Sequence, residues 1–170
     1  MIGILGSGNK KTYPSEYMAK VLDEIVNCTD AVLIFNYIPS QVDEAKRVYD
    51  LCLSTTKERI KFDVFANSLR DFLAVLYHCN CLIGNEGGTT NMAKALNIPT
   101  FSIFAPWISK DDWDLFSSKE NVAVHLKDYK PQFFDAKNSK QIKKDVFKLY
   151  NDFTPNLFKN SLQSFIKNVI

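Results

Sequence analysis

The apolar positions of this chain fall into short continuous runs separated by longer stretches of helical spacing. The runs are Ile2 to Leu5, Ala31 to Phe35, Ile60 to Phe65, Leu82-Ile83, Thr100 to Phe104 and Val122 to His125. Each is too short for a stable helix, and such runs suit strands of a sheet buried on both faces. Between them apolar residues recur every three or four positions. Tyr17, Val21, Leu22 and Ile25 mark one helix, entered through Pro14 as its first residue. Val42, Ala45, Val48, Tyr49 and Cys52 mark a second from Pro39 to Leu53, and Phe72, Leu73, Leu76 and Tyr77 a third from Leu69 to Tyr77. Strands alternating with helices, joined by connections of a dozen residues or more, predict βαβ units. The expected fold is therefore α/β: a doubly wound parallel sheet, one domain over residues 1–170. From Gln141 the pattern is a helical tail, broken at Thr154-Pro155, whose Leu162, Phe165, Ile166 and Val169 must cover the sheet or a partner.

One stretch organises the rest: Cys81-Leu82-Ile83-Gly84-Asn85-Glu86-Gly87-Gly88-Thr89-Thr90-Asn91-Met92-Ala93-Lys94-Ala95-Leu96. It reads as strand, tight turn and helix. Gly87-Gly88 frees the backbone for positive φ and for close approach to a ligand. Thr89 or Thr90 is expected to cap the helix. Met92, Ala95 and Leu96 form its apolar face. Asn97 suits a left-handed C-cap, and Pro99 stops the helix. A Gly-rich turn before a helix presents unpaired N–H groups and partial positive charge, which suits a phosphate. Glycine pairs also occur at such turns in sheets that bind nothing. Glu86 would repel a phosphate beside it, so either no phosphate binds or Glu86 faces another part of the ligand, such as hydroxyl groups.

The first turn, Gly6-Ser7-Gly8-Asn9-Lys10-Lys11, adds a second constellation. Ligands of open parallel sheets bind beyond the carboxyl ends of the strands where strand order reverses. The first and fourth strands usually flank that crevice. The two turns would then face each other, with a lysine pair and the Ser7 hydroxyl on one side and a helix N-terminus on the other. Together they suit a diphosphate; alone, Lys10-Lys11 reads as a solvated charged turn. No third glycine completes the dinucleotide fingerprint, so a conventional NAD site is not expected.

Composition narrows the classes. The chain has 170 residues, 46% hydrophobic and 24% charged, with formal net charge +2. That charge is too small to argue for nucleic acid or an anionic membrane. No apolar run approaches the roughly 20 residues that span a bilayer. Met1 to Gly6 lacks a basic leader and reads as a buried strand, not a signal peptide. Cys28, Cys52, Cys79 and Cys81 form no C-x-x-C pair and read as small buried hydrophobes of a reducing compartment, hence cytoplasmic. His78-Cys79-Asn80-Cys81 has no second ligand pair, and Asp112-Trp113-Asp114 reads as a solvated acidic loop, so no metal or cofactor is expected. His78 falls at a helix end, away from the crevice.

Three segments resemble a known family. Lys11-Thr12-Tyr13-Pro14-Ser15-Glu16-Tyr17-Met18-Ala19 resembles the K-x-W-P-x-E-x-F-A segment that opens the C-terminal domain of bacterial heptosyltransferases, glycosyltransferase family 9. Asn85 to Pro99 resembles the family's N-D-[ST]-G-x-x-H-[LI]-A-A-A-L-G-x-P signature. Phe104-Ala105-Pro106 stands where the family has F-G-P. The spacing agrees from Ile2 to about Trp113. The resemblance implies one half of a GT-B glycosyltransferase, a Rossmann-like domain that binds a nucleotide sugar similar to ADP-heptose. Lys11 would match the phosphate lysine and Glu86 the aspartate that contacts the sugar. Gly88 would keep the glycine whose backbone meets the phosphates, with Gly87 in place of Ser/Thr and Asn91 in place of histidine. With Ser7 and Thr89, these complete the candidate substrate-binding set.

The departures bear on the sugar more than on the fold. Gly87 removes a hydroxyl donor, and Asn91 cannot carry positive charge. The family's acceptor site and catalytic base lie on an N-terminal domain for which this sequence has no room. The resemblance therefore names no catalytic residue here and implies that the chain alone does not transfer sugar. It implies an inverting transfer to a glycolipid acceptor in lipopolysaccharide core or related surface-glycan synthesis, with the full enzyme peripheral at the inner face of the membrane. The rival reading is a non-catalytic nucleotide-binding or assembly module derived from that fold. A doubly wound enzyme of unrelated chemistry is a third.

Overall fold

The structure is a computed structural model that describes residues 1–135 and 138–170. β1 (Ile2–Gly3) runs through a turn into α1 (Ser15–Cys28). α2 (Val42–Leu51) and α3 (Ser54–Arg59) follow, and α4 (Leu69–Tyr77) leads to β2 (Leu82–Asn85). Next come α5 (Gly88–Ala95), β3 (Thr100–Ile103), α6 (Lys110–Trp113), β4 (Asn121–Val124) and α7 (Leu126–Tyr129). The tail holds α8 (Ser139–Lys144), α9 (Val146–Asp152) and α10 (Lys159–Val169).

All strands pair in parallel, in the order β1-β2-β3-β4. On the free side of β1, Ile2 bridges Phe35 and Leu33 bridges Ile60. Chain order therefore reverses between β1 and β2, which opens a crevice beyond their carboxyl ends. The strands expected at Ala31 to Phe35 and Ile60 to Phe65 are reduced to these bridges. α3 delivers the chain to Ile60 directly, and a turn closed by Val64 N–H to the Lys61 carbonyl (3.2 Å) bends it away again.

Helices cover both faces. On one, Phe72 and Leu76 of α4 and Ala93 of α5 pack on Leu82. On the other lie α1, α2 and the tail. The Phe158 and Phe165 rings sit 6.0 and 5.6 Å from that of Phe101 in β3. The tail's apolar stripe thus covers the sheet and α1 of its own chain. Tyr13 is the nail: it is 1% exposed, its ring meets Tyr150, Phe153 and Phe158, and its hydroxyl donates to the Phe153 carbonyl. Burial pushes the Tyr13 phenol far above its ordinary pKa, so it stays protonated and keeps its donor.

Several expectations fail in detail. Pro14 is the N-cap of α1 and not its first residue. α5 is capped by Gly87 without a side-chain bond from Thr89 or Thr90, and starting there turns Ala93 inward and leaves Ala95 exposed. Tyr77, at the last position of α4, and Val42, at the first of α2, lie beyond the buried stripes and are exposed. Cys28, at the end of α1, is exposed, whereas Cys52 and Cys81 are buried. The Phe104 to Phe116 loop contains α6, and the irregular stretch expected from Lys127 to Lys140 contains part of α7 and part of α8. Its positions 136–137 lie outside the described residues.

Candidate functional site

The crevice begins at Asn85, the last residue of β2. Its side chain extends the strand pairing past the end of β1: Nδ2 donates to the Gly3 and Ile4 carbonyls, both at 3.0 Å. Its Oδ1 accepts from Tyr13 N–H at 2.6 Å, which ties the start of α1 to the same point. Beyond this buried junction the two chains part. The turn after β1 forms one wall and the turn after β2 the other. All the candidate residues, Ser7, Lys11, Glu86, Gly87, Gly88, Thr89 and Asn91, line one cleft of about 660 Å³.

The first wall is held by its own backbone. Lys11 N–H donates to the Gly8 carbonyl at 2.9 Å, and the Thr12 hydroxyl bridges Gly6 N–H and the Gly8 carbonyl at 3.1 Å each. The lysine pair separates. Lys11 enters the cleft, with Nζ 3.9 Å from Glu86 Oε2, whereas the exposed Lys10 side chain is not part of the lining.

The second wall is the N-terminus of α5. The first intrahelical donors are Thr90 and Asn91, both to the Gly87 carbonyl. The N–H groups of Gly88 and Thr89 precede them at the cleft. Gly87 does not adopt the expected left-handed backbone: its φ of 165° is extended, and Gly88 is helical. The left-handed glycines are Gly8 and Gly84, with Asn97 at φ 57° as its C-cap position predicts. A Cβ on Gly87 would meet nothing within 4 Å, and one on Gly88 only Met92 Cε at 3.8 Å. The fold itself therefore does not require these glycines. What they leave open is room on the cleft side, over N–H groups aimed outward.

Glu86 stands between the walls. Its N–H donates to the Ile103 carbonyl at 3.0 Å, and its side chain is 10% exposed. Oε2 is buried with no hydrogen-bond partner among the described residues, and Lys11 Nζ at 3.9 Å is beyond hydrogen-bond reach. A buried carboxylate oxygen left unbonded costs free energy until a donor reaches it.

Sequence reasoning missed a third wall. Asn36, Tyr37 and Gln41 follow the segment that bridges β1, and Asn67 and Ser68 precede α4. Tyr37 is fixed by stacking on Phe65 (5.3 Å) and by donating to the Phe62 carbonyl (2.9 Å). The rule that ligands meet strand carboxyl ends applies to this segment too, and it was the signal available. Trp113 closes the rim from α6.

Other candidates separate from the cleft. His78 is exposed at the opposite end of the sheet, as expected. The Asp112-Trp113-Asp114 loop is not simply solvated. Asp114 forms an ion pair with Lys94 of α5 at 3.1 Å, the two side chains 11% and 4% exposed, while Asp112 faces solvent. Among the described residues no cluster of His, Cys, Asp or Glu could hold a metal, and no helix is long and apolar enough to cross a membrane.

No family model matches the sequence, and no curated protein matches it. Solved structures do. The structure of E. coli ADP-heptose lps heptosyltransferase II superposes with a TM-score of 0.60 at 14% identity, over 90% of this chain and 47% of that one. The glycosyl transferase family 9 protein from Veillonella parvula gives a TM-score of 0.57 at 15% identity, over 89% of this chain and 45% of that one. The chain thus spans a little under half the length of each. The fold read from the sequence and the fold found by superposition coincide: this chain has the α/β architecture of one half of a GT-B glycosyltransferase.

Proposed function

We propose that this domain binds the nucleotide-sugar donor of an inverting glycosyltransferase, with a sugar nucleotide similar to ADP-heptose as ligand. One observation carries the reading. A lysine, a helix N-terminus and a buried carboxylate whose Oε2 has no hydrogen-bond partner among the described residues converge in one cleft where strand order reverses. Lys11 and the Gly88 and Thr89 N–H groups suit the diphosphate. As the glycosidic bond breaks, they would stabilise the charge that develops on that leaving group. Glu86, an acceptor-only group, suits sugar hydroxyls. The attacking acceptor and its base would come from a second lobe, and the name of the E. coli neighbour suggests a lipopolysaccharide or related glycolipid acceptor. Gly87 and Asn91, which lack the family's hydroxyl and imidazole, favour the alternative of a non-catalytic module; absence of any nucleotide binding would support it.

Calorimetric titration with ADP tests the site. Lys11→Ala should weaken ADP by about 1.5–3 kcal/mol, the range for a hydrogen bond to a charged group. Unchanged affinity would remove Lys11 from the site. Glu86→Gln should discriminate between ligands. It should weaken an intact ADP-sugar by about 1–3 kcal/mol, because the hydroxyls lose a charged acceptor. ADP itself should bind as well or slightly better, since a like charge near the phosphates has gone. Parallel losses for both ligands would show that Glu86 shapes the turn and does not read the sugar.

A further inference from the structure

Lys11 reaches the cleft from a short, largely exposed turn, and a long amine on such a turn is ordinarily mobile. Here one carbonyl, that of Lys10, accepts two hydrogen bonds from distant parts of the chain. Trp107 Nε1, just after β3, donates at 2.8 Å, and the Tyr150 hydroxyl, on α9, donates at 3.3 Å. That carbonyl belongs to the peptide plane shared with Lys11. Holding it fixes the direction in which the Lys11 side chain leaves the backbone. The Trp107 ring also carries the Lys11 ammonium at 5.7 Å from its centroid, and Lys143 of α8 at 4.1 Å. The indole attracts Lys11 from one side while Glu86 attracts it from another. The Tyr150 phenol is pushed above its usual pKa, first by burial and then by the Glu86 charge, so it remains a donor.

We propose that Trp107 and Tyr150 are positioning residues for Lys11. They clamp the Lys10 carbonyl and so aim the Lys11 ammonium into the cleft, a role that rests on the reading of Lys11 as the phosphate cation. Neither residue lines the cleft, and both act through the turn.

Tyr150→Phe keeps its ring and removes only the donor, whereas Trp107→Phe removes the indole N–H and also shrinks the face that Lys11 meets. Each is titrated with ADP in the wild-type and the Lys11→Ala backgrounds, and backbone amide exchange at Lys11 and Thr12 is followed without ligand. With Lys11 present, each variant should weaken ADP about three- to tenfold, as expected for one lost hydrogen bond. With Lys11→Ala the same changes should have no effect, because the residue they act through is gone. Amide exchange at the turn should accelerate in both single variants. Equal losses in both backgrounds would indicate a general structural effect and overturn the proposal, as would unchanged affinity in the presence of Lys11. If the wild type binds no ADP, the donor-site reading fails, and exchange still decides the clamp: acceleration supports it, and unchanged exchange overturns it.

Discussion

Asn85→Ala should destabilise the domain by about 3–5 kcal/mol, the largest effect expected of any single polar substitution here. Asn85 is 2% exposed and satisfies three backbone groups, the Gly3 and Ile4 carbonyls and Tyr13 N–H. Alanine removes the side-chain partner of all three at the buried base of the cleft, and each buried group left unpaired costs about 1–3 kcal/mol. Asn85→Asp separates bonding from shape. It keeps an acceptor for Tyr13 N–H but offers no donor to the two carbonyls and adds a buried charge. It should therefore be no more stable than the alanine variant. Equilibrium denaturation measures both. A loss below about 1 kcal/mol in the alanine variant would show that the junction is not what joins β1, β2 and α1.

Gly84→Ala should cost about 3–5 kcal/mol for a different reason, combining steric overlap with an unfavourable backbone. Gly84 lies inside β2 with φ at +144°, a conformation L residues rarely adopt. A Cβ there would sit 2.3 Å from the Gly3 carbonyl oxygen and 2.7 Å from its carbon, on the strand that pairs with it. The obstacle is backbone, so no rotamer change relieves it. Either β1 shifts or its pairing with β2 breaks. Gly87→Ala provides the contrast, since the added methyl meets nothing within 4 Å. It should leave the melting temperature near wild type while weakening ADP. If both glycine variants melt alike, the close approach of β1 and β2 is not what the sequence protects.

That contrast also shows what was legible in the sequence. The strand–turn–helix around Asn85 to Ala95, the span of α4 and the left-handed Asn97 all have local signatures: a short apolar run, a helical stripe, a stop signal. Which glycine turns left-handed does not. Gly84 takes that role because Gly3, 81 positions earlier, packs against it, and Gly87 does not because only solvent lies above it. The same limit hid the Lys94–Asp114 ion pair, whose partners meet through the return of the chain after β3. It hid the third wall as well, since Tyr37 and Asn67 come together only once the sheet is built. These three are contacts between distant positions, which local pattern does not mark; for the third wall only the general rule on strand carboxyl ends pointed there.

Tyr13 has a consequence for how the domain is made. Its partners Tyr150, Phe153 and Phe158 lie far along the chain, and the bond from its hydroxyl spans 140 positions. Synthesis is vectorial, and contacts of such separation form late because a long loop must close first. A nascent chain that has emerged through β4 already contains every candidate residue. It still lacks the tail that buries Tyr13 and the phenol that holds the Lys10 carbonyl. The turn that carries Lys11 is thus among the last parts of this domain to take its final shape, and the cleft matures only once the segment from Tyr150 to Phe158 has been made.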